Sequence, residues 1–409
     1  MVSLVRRDPR SDYTVARVVA EGAVTCVGVA LLATALLANQ PWLDRHFLPS
    51  FFVTRQTYVV LETAARFAIG VCGVLLALVV RPILGRAVAR TPARVLHVAI
   101  AAALALVASE VVLRYVQLRP AEWLGRDQEP RRQADAQLGW TFVPSRTGHG
   151  AIGGRIVYYT FDAFGYRVRR LDEPVDPERA TILFTGESIM FGKGLTWEES
   201  IPAQVGAMLE TQTANLAVDG YGSDQAYLRL QAELPRFRKP VAVVTLFMTT
   251  LFGRNLDDDR PHLGPGLQWL PAVRHGRLRA LALLVAPYRS DATVDRGITV
   301  TREILRATVD EAAARGAMAL ILVPQFGVED GVERELRRRI LDEAGLPYVL
   351  VSIDPAWRVP GDVHPNAEAA HQIAAAVAAW LRERALRSGG QDGDAAPFAI
   401  VPNARSVGR

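Results

Sequence analysis

Cysteine and lysine are nearly missing from this chain of 409 residues: cysteine occurs as Cys26 and Cys72, lysine as Lys193 and Lys239. Both cysteines lie in apolar runs, where a thiol behaves as a small hydrophobe. No disulfide framework, metal site or other cofactor is therefore expected. The formal net charge is only +5, and it belongs to the front of the chain. Residues 1–120 carry 13 Arg against 6 acidic residues, whereas the remaining 34 basic and 36 acidic residues nearly cancel. After residue 120 no basic stripe with interleaved aromatics occurs, so nucleic acid is not an expected partner. No internal repeat is present.

What the chain has in quantity is apolar sequence, concentrated in its first third. Residues 22–38 are uncharged and dominated by Val, Leu and Ala. With their flanks they approach the roughly 20 residues a helix needs to cross about 30 Å of hydrocarbon. Residues 95–109 do the same. Between them, residues 58–80 contain Glu62 and Arg66, which are costly in lipid if isolated, but their i, i+4 spacing lets them pair on a helix. A buried hairpin of a soluble protein is the alternative, and it is disfavoured by three such segments in succession. Transmembrane helices are expected at about 17–38, 58–80 and 94–116, forming a membrane anchor over residues 1–118.

Arginine placement orients these helices. Arg6, Arg7, Arg10 and Arg17 precede the first span, and Arg81, Arg86, Arg90 and Arg94 lie between the second and third. Both regions are expected on the cytoplasmic side. The loop at residues 39–57 has only Arg45 and Arg55 and is rich in aromatics, Trp42, Phe47, Phe51 and Phe52, which suits the outer face. Three crossings then put the rest of the chain outside the cytoplasm.

Residues 119–137 are polar and charged and read as a linker. Residues 138–167, rich in Gly and aromatics, are expected to form short strands at a domain edge. From residue 180 the pattern changes. Apolar runs of strand length at 181–185, 213–218, 241–247, 317–323 and 347–353 alternate with helix-like stretches at 200–210, 223–234, 299–315, 328–344 and 366–387. Such alternation predicts a parallel sheet covered by helices, with ligands bound at the carboxyl ends of its strands. Residues 251–297 interrupt the alternation and are expected to be a lid or substrate-facing insertion. Residues 388–409 read as a disordered tail.

Two loops of this scheme carry chemistry. Thr181-Ile-Leu-Phe-Thr-Gly-Glu-Ser-Ile-Met-Phe-Gly-Lys-Gly is an apolar strand that runs into a glycine-bounded turn holding Ser188. A hydroxyl is a poor nucleophile at neutral pH and needs a base within hydrogen-bond reach and a third group to orient it. Gly361-Asp-Val-His-Pro-Asn follows the last strand and precedes the last helix, so one short loop offers Asp362 and His364 at the same end of the sheet. Taken singly, Ser188 is as readily a helix cap, and His364 or Asp362 an ordinary loop residue. Their shared placement is what favours a joint role in chemistry.

These segments resemble the SGNH/GDSL hydrolases. Residues 184–194 resemble the first block, a Gly-Asp-Ser turn, with Glu187 where aspartate is usual. Asn215-Leu-Ala-Val-Asp-Gly-Tyr-Gly-Ser-Asp-Gln resembles the second block, its glycine at Gly220. Asp362-Val-His-Pro-Asn resembles the last, with one residue between Asp and His where many members have two. The similarity runs over about residues 138–387 and takes in Leu138-Gly-Trp and Phe164-Gly-Tyr-Arg, elements that precede the catalytic fold in envelope-associated bacterial relatives.

The resemblance implies an α/β class: a flavodoxin-like three-layer αβα SGNH hydrolase domain in which Ser188 attacks an acyl ester, His364 acts as base and Asp362 orients it. It further implies an oxyanion hole built from the backbone N–H groups of Ser188 and Gly220 and an Asn side chain of the third block. Thr249 and Thr250 stand about where that Asn is expected, and Asn255 follows several residues later, as third donor or as loop cap. Thr249, Thr250 and Arg254 are expected to face substrate.

The function expected is an ester hydrolase acting through an acyl-enzyme on O-acyl groups, acetyl foremost, of an envelope glycan or lipid-linked substrate. Membrane lipid and envelope-biosynthesis proteins are the expected partners. An O-acyltransferase is an alternative, with the 251–297 insertion and its Trp269 excluding water. A catalytically weak envelope scaffold or glycan-binding protein is another, and it predicts a disarranged triad or a blocked cleft.

Overall fold

The computed structural model describes residues 9–115 and 129–392. The chain divides into two compact units, and each takes a segment from the other's stretch of sequence. The first holds the N-terminal helices together with His275–Tyr288, and the second holds the later domain together with Leu48–Phe52.

In the first unit, α1 (Pro9–Leu37) is followed by the short α2 (Gln40–His46), which Asn39 caps by accepting the Trp42 N–H. Helix α3 (Arg55–Leu75) starts at Thr54, whose side chain accepts the Thr57 N–H. It continues through a widened turn at Leu76–Val80 into α4 (Arg81–Arg90), and α5 (Pro92–Tyr115) closes the set. The widened turn has a cause. Pro82 lacks an N–H and its ring clashes with the carbonyl four residues back, and loosening the turn relieves both without ending the helix. Three stretches are long and apolar enough to cross a membrane: Val15–Leu37, Arg55–Arg90 and Pro92–Tyr115.

Helices α1 and α3 come together at two glycines. A Cβ at Gly28 would lie 2.9 Å from the Gly73 carbonyl oxygen, and one at Gly73 would lie 2.7 Å from the Gly28 oxygen. Small residues at such a crossing let the backbones touch. The expected Glu62–Arg66 pairing gives way to contacts with other elements: Glu62 accepts from Gln40 Nε2 at 2.6 Å, and Arg66 donates to the Ala35 carbonyl at 3.2 and 3.3 Å. A backbone carbonyl near a helix end is unsatisfied within the helix, so it competes well for the guanidinium.

The second unit is built on an eight-stranded sheet. A hairpin of β1 (Arg132–Asp135) and β2 (Gly139–Phe142) stands apart from it. The C-terminal part of the expected linker is therefore already part of this unit, while residues 119–128 lie outside the described residues. Strands β3 (Arg146–Ile152), β4 (Arg155–Phe161) and β5 (Arg167–Val168) form an antiparallel edge. There follow β6 (Ala180–Thr185), α6 (Ser188–Phe191), α7 (Ile201–Leu209), β7 (Gln212–Asn215), α8 (Ser223–Glu233) and β8 (Lys239–Leu246). After a tight helical turn at Thr249–Leu256 come the small hairpin β9 (His262–Leu263) and β10 (Trp269–Leu270), α9 (Arg277–Val285) and α10 (Asp291–Ala314). Strand β11 (Met318–Phe326), α11 (Gly331–Arg337), β12 (Tyr348–Ile353) and α12 (Ala367–Asp392) complete the chain.

The sheet order is β12-β11-β8-β6-β7-β5-β4-β3, with β12 to β7 all parallel. Renumbered along the chain, the parallel strands run 2-1-3-4-5, the flavodoxin-like order, whose direction reverses between β6 and β8. Buried on both faces, these strands are near-continuous apolar runs: Ile182, Leu183, Phe184, Val244, Ile321, Leu322 and Val323 are all fully buried. Each such side chain contributes about 1.5–3 kcal/mol on burial. Alanines 370, 374 and 378 of α12 are fully buried as well, and their small size lets the helix lie close.

The expected insertion at 251–297 is not one lid. It is divided between the tight turn, the β9–β10 hairpin, α9 in the first unit, and the first residues of α10, which begins at Asp291. The last helix runs on to Asp392, into the stretch expected to be a tail; residues 393–409 lie outside the described residues.

Candidate active site

Strand β6 ends at Thr185, and the chain turns through Gly186 and Glu187 into the single-turn helix α6, whose first residue is Ser188. Only glycine fits the turn: Gly186 has φ +147°, and a Cβ there would come 2.8 Å from Leu246 Cβ. Glu187 caps α6, its Oε1 accepting the Ile189 N–H at 3.1 Å. The helix ends in left-handed Gly192 (φ +83°).

What holds this turn down is Arg167, a fully buried arginine on β5. Its guanidinium donates to the carbonyls of Phe191 and Gly192 at 2.7 and 2.8 Å and of Leu195 at 2.6 Å, and it lies 4.9 Å from the Tyr159 ring centroid. Burial lowers its pKa to about 10, which still leaves it charged at neutral pH. The side chain of Asn215, at the end of β7, adds bonds to the carbonyls of Met190 and Phe191 at 3.3 Å. Arg167 closes the Phe164-Gly-Tyr-Arg element, but no strand pattern marks an inward-facing arginine as a clamp.

The second partner loop follows β12. The Val359 N–H donates to the His364 carbonyl, the Asn366 N–H donates to the Trp357 carbonyl, and Asn366 Oδ1 accepts the Ala369 N–H at the start of α12. Within this stitched loop Asp362 Oδ1 accepts both the backbone N–H of His364, at 2.8 Å, and its ring Nδ1–H, at 2.5 Å. A single residue between Asp and His therefore suffices, because one carboxylate oxygen serves both donors. His364 Nε2 then lies 2.8 Å from Ser188 Oγ. Ser188 and His364 are 1% and 5% exposed. The hydrogen bond from His364 holds the Asp362 carboxyl well below the usual carboxylate range, against the opposing effect of burial. Asp362, His364 and Ser188 thus form a continuous chain. With Nδ1–H committed to Asp362, Nε2 is left as the acceptor for the serine proton.

Glu187, however, is a second acceptor for that proton. Its Oε2 lies 2.5 Å from Ser188 Oγ and also accepts Arg254 Nη1 at 3.0 Å. Arg254, expected to face substrate, is thus committed to Glu187.

Gly220 sits at φ +87°, directly after Asp219. The Trp140 indole N–H donates to the Asp219 carbonyl at 3.2 Å, and the Tyr221 hydroxyl donates to the Trp140 carbonyl at 2.6 Å, so the Leu138-Gly-Trp element fixes this turn. Burial would raise the Asp219 carboxyl, but Lys193 and Arg132, each 3.0 Å away, hold it below its ordinary value. Among the described residues, no acceptor is bonded to the backbone N–H of Ser188 or of Gly220.

The third block differs from its expected layout. Asn255 is tied away from the serine, Oδ1 accepting the Ser223 N–H at 2.9 Å and Nδ2 donating to Ser223 Oγ and Thr301 Oγ1 at 3.1 and 3.0 Å. Both its amide protons are used, so it caps a loop and has none to offer an oxyanion. Thr249 is buried and its hydroxyl donates to Glu333 Oε1 at 3.5 Å. The Thr250 hydroxyl is buried with no hydrogen-bond partner among the described residues.

No family model matches the chain, and no curated protein is similar to it in sequence. Solved structures do resemble it. A GDSL-like lipase from Bacteroides thetaiotaomicron is 14% identical over 52% of this chain and 91% of its own, with a TM-score of 0.32. A carbohydrate acetylesterase from Sinorhizobium meliloti is 12% identical over 50% and 100%, TM-score 0.32. An acetyl xylan esterase from Butyrivibrio proteoclasticus is 12% identical over 52% and 66%, TM-score 0.33.

Proposed function

We propose that the protein is a serine ester hydrolase, with Ser188 as nucleophile, His364 as general base and then acid, and Asp362 as its orienting carboxylate. The observation that carries this is the unbroken chain from Asp362 through His364 to Ser188, at 2.5 and 2.8 Å. Distances of this size put the nucleophile and its base in hydrogen-bond reach, and they count against a scaffold with a disarranged triad.

In the first half-reaction Ser188 Oγ bonds to the acyl carbon while its proton moves to His364 Nε2. The imidazolium is stabilised by Asp362. The negative oxygen is held by the N–H groups of Ser188 and Gly220 and, in place of the usual Asn, by the Thr250 hydroxyl. As the ester bond breaks, Nε2 returns the proton to the departing alcohol. Water then repeats the sequence on the acyl-enzyme, giving up its proton to Nε2 and releasing the acid and free Ser188. A sugar hydroxyl in place of water would make the same site an acyltransferase.

The substrate class proposed is a short O-acyl group, acetyl foremost, on an envelope glycan or a lipid-linked sugar. Three apolar helices support a multi-pass membrane anchor with a cytoplasmic N-terminus and an extracytoplasmic catalytic unit, which would hold Ser188 near substrates exported or displayed there. The test is acetate release from p-nitrophenyl acetate and from acetylated oligosaccharides by the detergent-solubilised protein. Turnover lost in Ser188→Ala and in His364→Ala is the expected outcome; turnover retained in both would contradict the assignment.

A further inference from the structure

The segment Leu48–Phe52, which in sequence joins the first two apolar helices, belongs to the catalytic unit. Leu48 is buried in a core cluster with Phe247 and Phe252. The Phe51 N–H donates to the Thr250 carbonyl at 3.1 Å, next to the proposed oxyanion donor. The Phe51 side chain is 7% exposed, and its ring stands edge-on to His364 with centroids 6.2 Å apart. It is wedged by Phe326, 5.7 Å away, and by the Arg358 guanidinium, 4.9 Å from the Phe51 ring and 4.5 Å from the Phe326 ring. The Phe52 ring lies 5.7 Å from the guanidinium of Arg254, the residue that binds Glu187 beside Ser188. Two successive aromatics of one remote segment therefore stand in the surroundings of the Ser188–His364 pair, Phe51 at His364 and Phe52 at Arg254.

We infer that Phe51 sets the acyl-chain length accepted at Ser188, its ring filling the space beside the catalytic base that an acyl chain longer than acetyl would enter. This rests on the hydrolase assignment above and deepens it. Phe51 is rigid and is held on two sides, by Phe326 and Arg358, so it cannot swing aside as a flexible methionine would. Its neighbour Phe52 is half exposed and packs against it at 5.8 Å, which places the pair at the boundary between the buried base and solvent. Shortening Phe51 removes a ring from a packed wall, and each methylene admitted to an apolar pocket changes discrimination by about 10-fold or more.

The experiment uses the full chain in detergent. Rates on p-nitrophenyl acetate, butyrate and octanoate are measured for wild type, Phe51→Ala, Phe51→Leu and Phe52→Ala, with active sites counted by a fluorophosphonate probe. Wild type is expected to favour acetate. Phe51→Ala is expected to raise the ratio of kcat/KM for butyrate over acetate about 10-fold or more, with Phe51→Leu between and labelling retained. Phe52→Ala, on the solvent side, is expected to shift the ratio less. An unchanged ratio in a labelled Phe51→Ala, or in a labelled Phe51→Leu should the alanine variant fail to fold, would overturn the inference while leaving the hydrolase assignment intact. A folded wild type that does not label would overturn the hydrolase assignment, and this inference with it.

Discussion

The loops after β12 and after β8 both lie at the carboxyl end of the same parallel sheet, and they are prepared for chemistry to very different degrees. The first presents Asp362 and His364 in bonded register with Ser188. The second carries threonines where an amide is expected, with Thr249 at Glu333, Asn255 tied to Ser223 and Thr301, and the buried Thr250 hydroxyl without a hydrogen-bond partner among the described residues. One loop thus holds a carboxylate and an imidazole bonded through to the Ser188 hydroxyl, while in the other the amide is committed elsewhere. On the function proposed above, the difference teaches that proton transfer and charge stabilisation are supplied by separate loops, so one can be altered while the other stays intact.

The comparison is broken most severely at the proton-transfer loop. Ser188→Ala or His364→Ala is expected to lower kcat by about 10⁴-fold or more, and Asp362→Asn by about 10⁴-fold through loss of the correct histidine tautomer. Esterase kinetics at saturating substrate check this. The β8 loop comes next: Thr250→Val is expected to lower kcat by about 100-fold, and Thr250→Ser to restore most of it, because one oxyanion donor is worth roughly that much. Equal rates for Thr250→Val and wild type would move the third donor elsewhere.

Smaller still are effects on stability without chemistry. Arg167→Met removes three buried bonds from a guanidinium to carbonyls and is expected to cost about 3 kcal/mol or more. Asn255→Ala is expected to cost about 1–3 kcal/mol with kcat little changed. Urea unfolding of the solubilised protein separates the two from wild type.

The smallest effect is a pH dependence. Asp362 has a folded pKa depressed by its bond to His364. Its stabilisation is present above the ordinary carboxylate value and is lost as pH falls through the depressed one. Wild type should therefore keep this contribution at pH ~5 and lose it progressively as pH falls from the ordinary pKa of about 3.9 towards the depressed one, whereas Asp362→Asn should show a flatter acid limb in thermal melts.

The sheet and the triad loops were legible because their signals are local. A strand buried on both faces must be an apolar run, and Thr181–Thr185 or Val349–Val351 can be little else between helix-like neighbours. Ser188, Asp362 and His364 follow such runs, and the rule that sites gather at strand carboxyl ends brings them together. What stayed hidden depends on contacts distant in sequence. No periodicity tells that Arg167 reaches three carbonyls around α6, or that Leu48–Phe52 leaves its helical surroundings to pack beside His364. Asn255 was two-sided for the same reason. An Asn near a catalytic strand end is a donor or a cap according to what stands opposite, and here that is Ser223 and Thr301. Arg254 is a like case, its guanidinium bonded to Glu187, a partner 67 residues away in sequence.

Labelling with a fluorophosphonate probe tests the central claim most directly, since only a serine activated by a neighbouring base reacts with it. The full-length protein in detergent is expected to label stoichiometrically, with labelling lost in Ser188→Ala and in His364→Ala. A folded wild type that stays unlabelled, or labelling that survives in Ser188→Ala, would contradict the assignment of Ser188 as an activated nucleophile.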